Sequence, residues 1–149
     1  MHKLLVDTGV EEFEVNGRGV LRFNPGDPNL YHRFFAAREE LAALDEELTR
    51  QSAALPEDGG GAALALLADY DRRIKALLNR VFGAPNDFDV LLDGVNLAGV
   101  GTNGRRVVEN LLEALTPILQ AGAQHTVEAT ARQAVAAADA ARAARGGQA

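Results

Sequence analysis

The stretch from Phe13 to Leu48 constrains the fold more than any other part of the chain, because it joins a hairpin signature directly to a long amphipathic helix. Glu12-Phe13-Glu14-Val15 and Val20-Leu21-Arg22-Phe23 flank Asn16-Gly17. Asn-Gly between alternating apolar residues is a strong hairpin signal, since both residues tolerate positive φ. Facing decides the register. A two-residue turn would pair Phe13 with Val20 and place Arg22 on the apolar face. One extra loop residue pairs Val15 with Gly19 and Phe13 with Leu21, sets Glu12 opposite Arg22, and gathers Phe23 with the other apolar residues. A one-residue slip flips every side chain, so the bulged register is expected. Two strands alone are marginal in water and must pack on something.

The cover comes next in the chain. Asn24-Pro25-Gly26 ends the second strand, Asp27 can cap a helix, and Pro28 suits its first position, where a missing N–H costs nothing. The helix is predicted from Pro28 to about Gln51. Leu30, Phe34, Ala37, Leu41, Leu44 and Leu48 form a seam at alternating spacings of four and three, with Glu39, Glu40, Asp45, Glu46 and Glu47 largely on the wet side. Such a seam faces the protein's own core or a coiled-coil partner, and the hairpin and a second helix are at hand to cover it.

Leu55 to Gly61 reads as a flexible break, and a second helix is predicted over about 62–82 with a stripe of Leu67, Tyr70, Ile74, Leu77, Leu78 and Val81. Gly83 suits a left-handed stop, and Pro85 prevents continuation. Phe88 to Leu92 is expected as a short helix capped by Asp87, followed by a loop from Gly94 to Gly104. A third helix carries Val108, Leu111, Leu112, Leu115, Ile118 and Leu119 inward, and Thr116-Pro117 either kinks it or marks a junction. From Thr126 to Arg145 the chain is alanine-rich, with high helix propensity but only Val127 and Val135 as larger apolar contacts. It is expected to fray, or to order on binding.

The fold class expected is therefore mainly α: an N-terminal β-hairpin on a small helical bundle of three main helices, with an Ala-rich C-terminal helix or tail. Residues 1–122 are read as the hairpin and bundle domain, and 123–149 as the Ala-rich segment. Of 149 residues, 47% are hydrophobic, enough for a core, though only 5% are aromatic. A net charge of −6 argues against a general nucleic-acid binder. The absence of cysteine excludes disulfides, thiolate catalysis and Cys-based zinc sites. Leu4-Leu5-Val6 is far too short for a secretory core, and no stretch is long enough to span a bilayer. A soluble protein retained in the cytoplasm, with no membrane partner, is expected.

Chemistry-bearing motifs are weak. Gly99-Val100-Gly101-Thr102-Asn103-Gly104 matches G-x-G-x-x-G, but no strand follows it, so an inter-helix loop is expected rather than a dinucleotide site. His2, His32 and His125 are scattered, the Asp69/Asp71 pair reads as solvated, and the lone Ser52 sits at a helix end. No catalytic, metal or cofactor residues are assigned. Arg105 and Arg106 fall in the expected first turn of the third helix, where two cations oppose the dipole. They are either a solvated pair or contacts to acidic groups on a partner.

Phe13 to Gly17, Val20 to Phe23, the long helix, the Val81-Phe82-Gly83 close and the Asn110 to Leu119 helix occur in an order that resembles small tail-assembly proteins of long-tailed bacteriophages. The similarity covers about residues 10–120. The long glycine loop and the alanine-rich end depart from the pattern. The resemblance implies a non-enzymatic tail assembly chaperone in the host cytoplasm, binding the hydrophobic tape-measure protein while tail tube protein polymerises around it. A homo-oligomer is one state open to it. The groove is expected between the edge of the first long helix and the third helix, so Leu41, Leu44, Leu48, Arg105, Arg106, Leu112 and Leu115 are the candidate partner contacts. A structural virion component and a small bacterial helical adaptor or secretion chaperone are the alternatives.

Overall fold

The computed structural model describes residues 1–146. The hairpin consists of β1 (Glu11–Val15) and β2 (Gly19–Phe23), paired antiparallel. Its register is the bulged one, with Glu12 opposite Arg22, Phe13 opposite Leu21 and Val15 opposite Gly19. Asn16 (φ 53°) and Gly17 (φ 72°) turn the three-residue loop, and Arg18 N–H donates to the Val15 carbonyl. Leu21 and Phe23 enter the core, while Arg22 reaches Glu12 on the wet face at 3.2 Å. Full burial of side chains this size is worth about 1.5–3 kcal/mol each, which is what lets so short a sheet persist.

The two edges of the sheet differ. Arg22 N–H donates to Asn86 Oδ1 at 2.9 Å, and Asn86 Nδ2 donates back to the Arg22 carbonyl at 2.7 Å. The Asn86 amide thus takes the place of a third strand on β2. Because Arg22 points its backbone groups away from β1, Glu12 opposite it points its own outward on the other edge. The carboxylates of Glu11, Glu12 and Glu14 line that open edge, a charge pattern that discourages uncontrolled strand addition.

Helix α1 (Pro28–Ala53) begins as expected, with Asp27 accepting from Asn29 N–H and Pro28 in the first turn. Helix α2 (Gly60–Phe82) returns against it, starting two residues earlier than the sequence suggested. Arg80 pairs with Glu40 and Arg73 with Glu47, each at 3.0 Å, along the α1/α2 seam. Exposed pairs like these are screened by water and add little, so the apolar seam sets the packing. Arg33 Nε donates to the Val81 carbonyl at 3.0 Å, satisfying one of the carbonyls left open at the end of α2. Gly83 stops α2 with positive φ (77°) but an extended ψ (164°), outside the left-handed helical well.

Asp87 caps α3 (Phe88–Leu91) by accepting from Asp89 and Val90 N–H. Helix α4 (Val107–Gly146) is one helix of 40 residues with Pro117 inside it. Of the two options for Thr116-Pro117, the helix continues through them, and Thr116 Oγ1 donates to the Leu112 carbonyl at 2.7 Å. The third main helix and the alanine-rich segment are therefore parts of one element, uninterrupted across residues 122 and 123. Residues 147–149 of that expected segment lie outside the described residues. No described helix is long and apolar enough to cross a membrane.

The core lies where the hairpin, α1, α2, α3 and the first half of α4 meet, centred on Phe34, Ile74, Phe88, Leu97, Val108 and Leu119. Phe13 stacks on Phe23 with centroids 4.7 Å apart, and Phe23 meets Phe82 edge-on at 5.0 Å. These contacts tie the hairpin to the end of α2.

Candidate functional site

The expected groove between α1 and α4 is closed. Leu41 and Leu112 do come together, but with Phe34, Leu78 and Val108 they leave a space of only about 10 Å³. Leu44 faces a shallow, open cleft toward α2 beside Arg73 and Leu77, and Leu48 packs half-buried against the core farther along α1. Leu115 is buried, at 5% exposure. The α1 seam thus spends its apolar surface inside the protein, most fully at Leu30, Phe34 and Ala37 and less toward its C-terminal end.

The two arginines part company. Both lie just before α4 rather than in its first turn, and the Arg106 carbonyl accepts from Asn110 N–H as the helix begins. Arg105 is exposed and pairs with Glu109 and Glu113 on the helix that follows it. Arg106 reaches across to α1, where its two terminal nitrogens address the two oxygens of Asp45 at 3.2 and 3.3 Å. Its Nε donates to Glu109 Oε1 at 3.1 Å, and it also donates to the Tyr70 hydroxyl at 3.2 Å. Tyr70 in turn donates to Asp45. The Asp45 hydrogen bond, partly offset by burial, raises the Arg106 pKa further. Burial, and then the hydrogen bond and charge of Asp45, hold the Tyr70 phenol well above its ordinary value. Asp45 is therefore a junction of three elements, not part of the wet face.

A second polar cluster fixes the glycine-rich loop, and it corrects the reading of Asp71 as solvated. Asp71 Oδ1 accepts from Leu97 N–H at 2.8 Å, while its other oxygen accepts from Lys75 Nζ at 2.9 Å. Lys75 also donates to Asp89 at 2.7 Å, and its side chain is only 6% exposed. Burial alone would lower its pKa, but the hydrogen bonds it donates to Asp89 and Asp71, with their charges, outweigh that and hold it raised. Asn96 Nδ2 donates to the Leu67 carbonyl, and Val107 N–H and Val108 N–H return to the Gly99 and Leu97 carbonyls. The result drives Leu97 to 0% exposure. The G-x-G-x-x-G stretch is a built connection, with Val100 bridged to Arg106, that delivers Arg106 to Asp45.

A groove does remain open on the other flank of the α4 apolar stripe. Phe13 and Val15 of the hairpin, Leu91 of α3, and Leu111, Ala114 and Ile118 of α4 line a cavity of about 240 Å³ with a mostly apolar surface. Leu115 forms part of its floor, the one contact with the expected partner set. The hairpin sits close on α3 here: a Cβ on Gly19 would come within 2.8 Å of Leu91 Cδ2. Leu111, Leu115 and Ile118 lie on one flank of the α4 stripe and Leu112 and Leu119 on the other, a stripe of ordinary width, so the sequence offered no separate signal for this groove. No family model, no curated protein and no solved structure matches the chain.

Proposed function

We propose that this chain is a non-enzymatic tail assembly chaperone that holds an amphipathic helix of a tape-measure protein in the groove between the hairpin, α3 and α4. The observation that supports it is the groove itself. It is apolar, concave, and shaped by three separate elements whose positions are fixed by the core beneath. A helix presenting apolar residues at spacings of three and four would lay them along Leu111, Ala114 and Ile118 in the helix-in-groove mode. Glu14 and Asn16 lie at the hairpin end and offer polar contacts to the rim of such a ligand. The phage assignment comes from the resemblance in the order of parts; the groove adds a place for the client.

Co-expression with the tape-measure protein tests the reading. The expected result is co-purification and a larger soluble fraction of the client, both lost in Ile118→Glu, with Arg105→Gln unchanged. A client equally soluble with the variant, or no co-purification with the native chain, overturns it. Recovery of the chain in purified virions would favour the structural tail component instead.

A further inference from the structure

The two walls of the groove between the hairpin and α4 differ in charge. On the α4 wall, Glu109 and Glu113 are the only charged residues between Val107 and Gln124. Both are matched, Glu109 by Arg105 and Arg106 and Glu113 by Arg105. On the hairpin wall the balance is broken. The hairpin holds Glu11, Glu12 and Glu14 against Arg18 and Arg22. Arg22 is taken by Glu12, and Arg18 by Asp93 just after α3, each at 3.2 Å. Among the described residues, Glu11 and Glu14 are left without an ion-pair partner.

Both of these carboxylates border the apolar surface. Glu14 lines the groove, and its carboxylate lies beside the turn, where a Cβ on Gly17 would come within 3.9 Å of Oε1. Glu11 stands on the same face of β1 as Phe13 and Val15, one step further along the row that lines the groove. The two are three positions apart, about 10 Å along a strand, and they bracket Phe13. Both are exposed. The groove is thus apolar inside, neutral along α4 and acidic along β1.

We propose that the groove selects a cationic helix: the partner segment it holds carries Lys or Arg beside its apolar stripe, on the flank that meets β1. The inference rests on the reading of the groove as a client site and adds the sign of the client's charge. Apolar contact alone would seat an amphipathic helix of any charge. Glu11 and Glu14 repel one with an acidic flank and attract one with a basic flank. Standing at an exposed rim, they supply discrimination and speed of encounter more than tightness, and salt screens them. The net charge of −6 acts in the same direction at longer range.

Fluorescence anisotropy with three labelled synthetic peptides tests it. All three share one leucine stripe at spacings of three and four, and they differ only in flanking residues, which are Lys, Gln or Glu. At low salt the native chain should bind the Lys peptide at least about tenfold tighter than the Glu peptide, and about 0.5 M salt should remove most of that ratio. Glu11→Gln/Glu14→Gln should shrink the ratio several-fold while leaving affinity for the Gln peptide unchanged. Both positions are exposed, so melting of the double variant should match the native chain. Ile118→Gln, which leaves the charge as it is, should weaken binding of all three peptides. If none of the three binds the native chain, the client-site reading falls and this inference with it. Equal affinities leave that reading standing and overturn the charge selection alone. A Lys preference undiminished in Glu11→Gln/Glu14→Gln, or Lys-peptide binding indifferent to Ile118→Gln, places the attraction elsewhere on the acidic surface and overturns it too.

Discussion

The two halves of α4 are one helix held by different physics. From Val107 to Thr126 the helix is fixed by its surroundings: Val108, Leu115 and Leu119 are buried, and Thr126 is tied to the Gly26 carbonyl at 2.6 Å. From Val127 to Gly146 nearly every residue is exposed, and the described side-chain contacts are local, such as Arg142 to Asp139 at 2.8 Å. The first half contains Pro117 and glycine at 122, which propensity disfavours; the second is rich in alanine, which propensity favours. Tertiary burial overrides a poor helical sequence in one half. In the other, propagation from an existing helix is enough, because the costly nucleation step has already been made.

The largest expected break in this comparison is Leu119→Ala. Leu119 is 1% exposed, and a truncation of this kind at a closed site costs about 2–5 kcal/mol. The matching change in the other half, Val135→Ala, should stay within about 0.5 kcal/mol, because Val135 is exposed and alanine is the better helix former. Urea denaturation of both variants measures the difference; equal effects would mean that the second half is covered in solution.

Gly122→Ala sharpens the point by setting propensity against packing at one residue. In an exposed helix interior the change would gain about 1 kcal/mol. Here a Cβ would collide with the Pro25 carbonyl, which cannot move without dragging the corner after β2. Overpacking of this kind costs about 1–3 kcal/mol, so the variant should be net destabilised in a thermal melt. Stabilisation would show that the corner yields freely.

How much of this was legible beforehand follows the range of the interactions. The hairpin register, the Asp27 and Asp87 caps and the α2 stripe rest on residues a few positions apart, and each is found where local rules placed it. The polar contacts that decide the rest are long-range: Arg106 to Asp45, across to α1, spans 61 positions, and Asn86 to Arg22, at the sheet edge, spans 64. No local rule separates Arg105 from Arg106. Some signal was nevertheless present. Asp71 lies four residues from Leu67 and three from Ile74, inside the apolar stripe, and a carboxylate there needs a partner. Asp45 likewise flanks the seam, four residues from Leu41 and three from Leu48. Leu97, the only leucine between Asp93 and Val107, was the clue that the glycine-rich loop turns inward.

Arg106→Gln and Arg105→Gln test that distinction at the point where α4 begins. Losing the two bonds to Asp45, in a site about one-third exposed, should cost about 1–2 kcal/mol after allowance for solvent screening. Replacing Arg105, whose partners are exposed and lie on the helix just after it, should cost less than about 0.5 kcal/mol. Chemical denaturation reads both. Equal losses would show that the Asp45 junction adds nothing beyond a surface pair.

The smallest effect, and the most direct test of the two-physics view, is removal of residues 128–149. The first half of α4 keeps every buried contact, so the midpoint of unfolding should move by less than about 0.5 kcal/mol in equivalent stability. Far-ultraviolet circular dichroism should lose the helical signal of residues 128–146. Before truncation, amides in 128–146 should exchange with solvent orders of magnitude faster than those around Leu115 and Leu119, because opening there breaks no tertiary contact. Strong protection in that segment would mean that something packs on it, and the helix would then be held by burial along its whole length.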